Sequence, residues 1–201
     1  SHLQGAPQTL EDLWKSDRTV AVEAGSNFVK WLNHTYGGAR LRLVSAQGGV
    51  AQFKRDPTLS QAAFIFSEPV TLSLDGVLTQ IYPVADSGYN PYSVIIATRE
   101  DYLKANPAVV SAVRRALRRG WETYLESPEV TNRALAKLNP SMSLEAMNRA
   151  LILATPYIRG EAKILGDMSM ARWKTLAQQM KMLGMIKVIE PPNAYFWPPH
   201  N

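Results

Sequence analysis

Three short polar clusters hold the residues of this 201-residue chain best suited to chemistry. Gly25-Ser26-Asn27 lies between a β-prone run and an apolar pattern of helical period, so it offers backbone N–H groups and a serine hydroxyl to a polar or anionic ligand group. The same residue types are also preferred helix N-caps in any protein. Ser67-Glu68-Pro69 closes an apolar run and puts a carboxylate at a helix start. Gly88-Tyr89-Asn90-Pro91-Tyr92 is a proline-stiffened loop with two aromatics and an amide. Loops of that kind, held at the end of a sheet, are where small-molecule sites are usually built, and an ordinary turn with half-buried tyrosines has the same composition.

Reactive sets are missing from the sequence. It has no cysteine, hence no disulfide, cysteinyl zinc site or thiol nucleophile. His2, His34 and His200 are far apart, and none is at metal-ligand spacing from another. No serine–histidine–acid arrangement or phosphate-binding glycine loop can be read. Glu11-Asp12 and Glu100-Asp101 fall in first helical turns, where carboxylates favour the helix dipole. The expectation is a binding protein, not an enzyme, with no cofactor or metal.

The composition is ordinary for a folded protein, 46% apolar and 19% charged. A net charge of +5 permits anionic partners, but no nucleic-acid motif accompanies it. The densest basic run, Arg114-Arg115 and Arg118-Arg119, reads as the solvated face of a helix. No apolar run is long enough to span a bilayer. No signal peptide stands at residue 1, and Ser1-His2 has the form of a tag remnant.

The elements that must position the clusters follow from periodicity. Thr9-Leu10-Glu11-Asp12 has the form of a capping box. Strands are expected at 19–23, 41–45, 62–66, 78–84 and 93–98, with short helices between them. The apolar run 62–66 reads as a strand covered on both faces. This order indicates a mostly parallel α/β sheet, whose ligands bind beyond the carboxyl ends of the strands. The loop before strand 93–98 reaches that rim only if this strand is antiparallel, which predicts a mixed sheet. After Thr98 the chain turns helical. A long helix carries the stripe Val109, Val113, Leu117, Trp121 and Tyr124, a second runs to Asn139-Pro140, a third starts at Ser143 and ends near Pro156, and a last one stops at Gly184. An extended tail closes the chain.

This order of motifs resembles a known family. Thr9-Leu10-Glu11-Asp12-Leu13, Thr19-Val20-Ala21-Val22 and Gly25-Ser26 resemble the "DLKGKxVAVxxGS" passage of extracytoplasmic solute-binding proteins that serve ABC importers for nitrate, sulfonates, taurine and thiamine-pyrimidine precursors. Phe66-Ser67-Glu68-Pro69, Gly88 to Tyr92, Asn106-Pro107 with Gly120-Trp121, and Met170-x-Arg172-Trp173 with Leu183-Gly184-Met185-Ile186 continue the likeness, which covers Thr9 to about Ile189.

The resemblance implies a type 2 periplasmic-binding-protein fold: a clamshell closing on a small organic solute in an inter-lobe cleft, outside the cytoplasm, and passing it to an inner-membrane ABC permease. It implies an α/β second lobe over 18–98, a helical region over 99–189 that normally packs on the first lobe, and an extended tail over 190–201. In the family a βαβ-type segment precedes the first phrase, so the resemblance also implies a partial chain prone to dimerise or swap. Carried over residue by residue, Gly25, Ser26 and Asn27 become helix-start contacts. Ser67 and Glu68 end the third strand, with the carboxylate accepting from ring or exocyclic nitrogens or, alternatively, capping the next helix. Tyr89, Asn90 and Tyr92 form an aromatic wall with one amide. The enzymatic members, thiamine-pyrimidine synthases, use a cysteine-rich iron motif that this chain lacks, and a sensor domain of the same fold would carry a signalling module.

Overall fold

Thr9 and Asp12 close a capping box, the Asp12 N–H donating to Thr9 Oγ1 at 3.0 Å and the Thr9 N–H to Asp12 Oδ2 at 3.2 Å. This opens α1 (Leu10–Trp14), which leads into the first strand of a three-stranded parallel sheet. The computed structural model describes residues 1–191 and 194. Most of the expected tail, including Tyr195 to Pro199, and His200 lie outside the described residues.

The sheet consists of β1 (Thr19–Val22), β2 (Arg42–Ser45) and β3 (Leu59–Gln61) in the order β2-β1-β3. Val20 pairs with Leu43 on one side and Ser60 on the other. Helices α2 (Asn27–Tyr36), α3 (Ala51–Arg55) and α4 (Glu68–Leu74) connect and cover these strands. Alternation along β1 splits the core. Val20 and Val22 pack with Leu13, Trp14, Leu32 and Leu41 on the α1/α2 face. Ala21 packs with Phe53, Leu59 and Leu72 on the α3/α4 face.

Two compact units divide the chain. One comprises residues 1–91 with the segment beginning at Met170, and the other comprises Tyr92–Ser169. The last helix, α9 (Met170–Met182), thus groups with the sheet and not with the helices before it. The physical reason is polar: Arg172 and Gln179 bond the backbone of residues 88–91. The second unit holds α5 (Glu100–Ala105), α6 (Pro107–Glu126), α7 (Pro128–Leu138) and α8 (Leu144–Arg159). At its centre Asn132 is 1% exposed, accepts from Tyr124 Oη at 2.8 Å and donates to Asn148 Oδ1 at 2.8 Å, joining three helices.

Several expected elements differ. The third strand lies at Leu59–Gln61 and not at 62–66, because Asp56 caps the preceding turn, accepting from Thr58 N–H at 2.9 Å and Thr58 Oγ1 at 2.7 Å. The chain therefore enters the sheet early and buries Leu59 and Ser60, leaving the apolar run to the surface. Residues 78–84 form only an isolated bridge, Thr79 with His2, and then a 3₁₀ turn at Val84–Ser87. Pro83, which lacks an N–H, sits where a ladder bond is needed. Residues 93–98 form no strand, and Val94 is 89% exposed. Without the two later strands the sheet among the described residues is wholly parallel, not mixed. Helix α8 runs through Pro156 to Arg159. Arg118 is not solvated: its Nε donates to the Leu165 carbonyl at 2.9 Å and its Nη2 pairs with Asp167 at 2.5 Å.

Candidate functional site at the carboxyl rim of the sheet

Strand order locates the site. The chain leaves β1 for β2 on one side and then crosses back over β1 to β3 on the other. In open parallel sheets the connections part at such a switch point, and the crevice there, outside the carboxyl ends of the strands, receives ligands. Here the switch point lies between β1 and β3, which are followed in the chain by the loop Gly25-Ser26-Asn27 and the segment 62–68.

Gly25 turns the chain at φ 79, and a side chain there would meet only open space. Ser26 does not cap α2, because its hydroxyl donates to the Glu23 carbonyl at 2.7 Å, folding the loop on itself. Asn27 opens α2 with its N-terminus towards the rim. Beside it, Gly48 and Gly49 follow β2, both at positive φ and both open above. Gln61, the last residue of β3, donates from Nε2 to the Gly49 carbonyl at 2.8 Å and so ties the β2 and β3 loops together.

Beyond Gln61, the Ala62 N–H continues the ladder to the Ala21 carbonyl at 2.8 Å, and the chain then turns. The Ser67 N–H donates to the Phe64 carbonyl at 2.9 Å, while the Phe64 N–H donates to Glu68 Oε2 at 3.1 Å. Ser67 and Glu68 thus close a small loop whose outer side carries Phe64 and Phe66, with ring centroids 5.5 Å apart. Glu68 is half-buried, and the bond to Phe64 shows that it positions this loop as well as standing at the start of α4.

The third cluster is differently placed. Tyr89 is 8% exposed and stacks on Trp31 at 5.9 Å, one turn into α2 from Asn27. Burial holds its phenol above the ordinary value. Trp31 Nε1 donates to both the carbonyl and the hydroxyl of Ser87 at 3.1 Å. A Cβ on Gly88, at φ 88, would lie 3.7 Å from the Trp31 ring, and the Gly88 carbonyl accepts from Gln179 Nε2 at 2.8 Å. Asn90 accepts from Arg172 through its side-chain oxygen and its carbonyl, each at 2.7 Å. Tyr92 belongs to the other unit, where its hydroxyl accepts from the Ser169 N–H at 2.7 Å. Gly25, Ser26 and Asn27 thus follow β1, Ser67 and Glu68 follow the neighbouring parallel strand β3, and Tyr89, Asn90 and Tyr92 are engaged in contacts of their own.

With the rim described, comparison with known proteins adds one result. Residues 48–131 match the family model described as NMT1/THI5 like. That family comprises ABC solute-binding proteins and also thiamine-pyrimidine-synthase-like members. The matched stretch includes Gly48-Gly49, β3, the Phe64–Glu68 loop and residues 88–92, and leaves Gly25–Asn27 outside. No curated protein matches the chain. The parallel sheet and this match together give an α/β fold with a periplasmic-binding-protein-like domain. Among the described residues no helix is long and apolar enough to cross a membrane.

Residue-level reading missed Phe64 and Phe66 as surface groups, and it placed none of Gly48-Gly49, Gln61, Trp31 and Arg172 among the site residues. The available signal was the Phe-x-Phe spacing directly before a Ser-Glu-Pro helix start, where a buried strand has no need of the turn.

Proposed function

We propose that this chain is the solute-binding component of an ABC import system, working outside the cytoplasm. In this reading it binds a small organic solute, a planar nitrogen heterocycle, at the carboxyl rim of its parallel sheet and passes it unchanged to a membrane permease. The observation that carries the reading is the strand order β2-β1-β3, which makes β1 and β3 neighbours with Gly25–Asn27 following one and the Phe64–Glu68 loop following the other. The family match over residues 48–131 supports the transport role.

The chemistry of the rim sets the solute class. Open glycines and helix-start N–H groups donate to a carbonyl or ring nitrogen, and Glu68 accepts from an N–H. A carboxylate at contact distance disfavours a dianionic solute, because like charges repel in a partly desolvated crevice. Catalysis is left out of the proposal because the sequence has no cysteine and, of the described histidines, the His2 ring stacks on Phe53 at 4.0 Å and the His34 ring lies 6.2 Å from that of Trp31.

The test is a thermal-shift screen of the full chain against pyrimidines, amino acids, sulfonates and aromatic acids, followed by mass analysis of the recovered solute. A ligand that binds only the folded state raises the melting temperature, by an amount that grows with the logarithm of its concentration over its Kd. The expected result is stabilisation by at least one nitrogen heterocycle, recovered intact. Stabilisation by none of these classes, or recovery of a converted product, overturns the reading.

A further inference from the structure

We infer that Phe64 and Phe66 form a stacking platform that receives the ring of the solute, and that they set its selectivity for flat over puckered rings. The inference rests on the solute-binding reading above and names the residues that would discriminate. Both rings stand on the outer side of a short loop, 55% and 44% exposed, stacked with an interplanar angle of 20°. Aromatic rings prefer offset stacks with centroids about 4.5–7 Å apart. The observed spacing of 5.5 Å lies inside that range, so a flat ring laid on the outer face continues the stack in the same geometry.

The platform is built in advance. Phe64 is held at both backbone polar groups, its N–H by Glu68 and its carbonyl by the Ser67 N–H. A loop closed by its own bonds loses little freedom when a ligand arrives, which favours affinity. Glu68, in the same loop, adds a carboxylate acceptor beside the rings. An aromatic face and an anionic acceptor together suit a flat ring bearing N–H groups, neutral or cationic. Area argues against a macromolecular occupant of this pair. Two phenylalanine side chains flanked by Ser67 and Glu68 fall far short of the roughly 800 Å² per partner of a stable protein interface.

The experiment uses the full chain, wild type and the double variant Phe64→Leu/Phe66→Leu, which keeps apolar volume and removes the ring faces. Isothermal titration is run with uracil, cytosine and 4-aminopyrimidine as flat probes, dihydrouracil as the puckered counterpart of uracil, and taurine as a solute without a ring. The expected result is that the flat probes bind the wild type and weaken about tenfold or more in the double leucine variant, a change of about 1.4 kcal/mol. Uracil should bind the wild type better than dihydrouracil, and Phe66→Tyr, which keeps the ring, should bind as the wild type does. Circular dichroism checks the fold. If the double variant does not fold, Phe64→Leu and Phe66→Leu singly carry the same expectation. Unchanged affinity for the flat probes in the leucine variants overturns the inference, as does equal binding of uracil and dihydrouracil. Binding of taurine alone overturns it and leaves solute binding standing, whereas binding of none of the probes overturns it and counts against the proposed function too. Self-association of the wild type that the leucine variants abolish also overturns it, because a second copy would then cover the rings.

Discussion

Arg172 holds Asn90 at two points, its Nε donating to the Asn90 carbonyl and its Nη2 to the Asn90 side-chain oxygen, both at 2.7 Å. The same Nη2 reaches the Pro91 carbonyl at 3.0 Å. One guanidinium on α9 thereby fixes the loop that ends the sheet unit, and it does so from more than eighty residues away in sequence.

Replacing that fork should loosen the loop without unfolding the chain. Lysine has no rigid fork of donors and makes fewer of these bonds. Arg172→Lys is expected to lower stability by about 1 kcal/mol, the net scale of a hydrogen bond involving a charged group being about 1.5–3 kcal/mol. Urea unfolding checks this, and hydrogen exchange should show faster exchange in residues 88–92. An unchanged unfolding midpoint would mean that the contacts contribute nothing.

Glu68 carries two roles that a pair of variants separates. Glu68→Gln keeps an oxygen able to accept from the Phe64 N–H, which Glu68 Oε2 receives at 3.1 Å, but removes the charge. The loop should hold, while affinity for a solute with an N–H donor should fall by at least about 1 kcal/mol. Glu68→Ala should add a loss of loop order. Calorimetric titration of both variants with 4-aminopyrimidine distinguishes them, and equal affinity in wild type and Glu68→Gln would confine Glu68 to holding the loop.

Asn132 is the polar centre of the helical unit. Asn132→Ala leaves the half-buried Tyr124 hydroxyl without its 2.8 Å partner, whereas the exposed Asn148 side chain can turn to water. Groups left unsatisfied in this way cost about 1–3 kcal/mol. Chemical denaturation followed by circular dichroism should register that loss, with native helix content retained in buffer.

Alkaline pH should weaken the fold through its tyrosines. Burial is the leading cause that raises the phenols of Tyr36, Tyr82, Tyr89 and Tyr124 above their ordinary value of 10.0. Below pH 10 the phenol is neutral in folded and unfolded chains alike, so this contribution to stability is fully present. As pH rises past 10 the unfolded chain ionises first, and stability falls until the folded values are passed. Ultraviolet titration of phenolate should show a late-titrating class in the folded protein, which Tyr89→Phe diminishes by one residue.

Much of the sheet unit was legible from residue order. The capping box at Thr9 and the β-prone run from Thr19 to Val22 are local signals, because they act between neighbours in the chain. The run 62–66 was misread for a physical reason: an apolar run is buried only if the strand entering before it has not already filled the sheet edge, and Leu59 and Ser60 had. The later strand-like segments failed similarly. Val94, Ile95 and Ile96 have strand propensity, but a strand needs a partner, and propensity does not supply one.

By itself the sequence determined the α/β character of the first part, the helical character of the second, the lack of a thiol, and the glycine and acidic residues that lie after the first strands. These follow from periodicity, capping and composition, which act over a few residues. Only the tertiary structure decided which marks share a rim. The order β2-β1-β3 makes neighbours of the strands that precede Gly25–Asn27 and Glu68, the Asp56 turn sets Phe64 and Phe66 outside the sheet, and Trp31 and Arg172 engage Tyr89 and Asn90. Those outcomes depend on contacts between residues far apart in the chain, which compete for the same side chains and are settled only when the chain is folded.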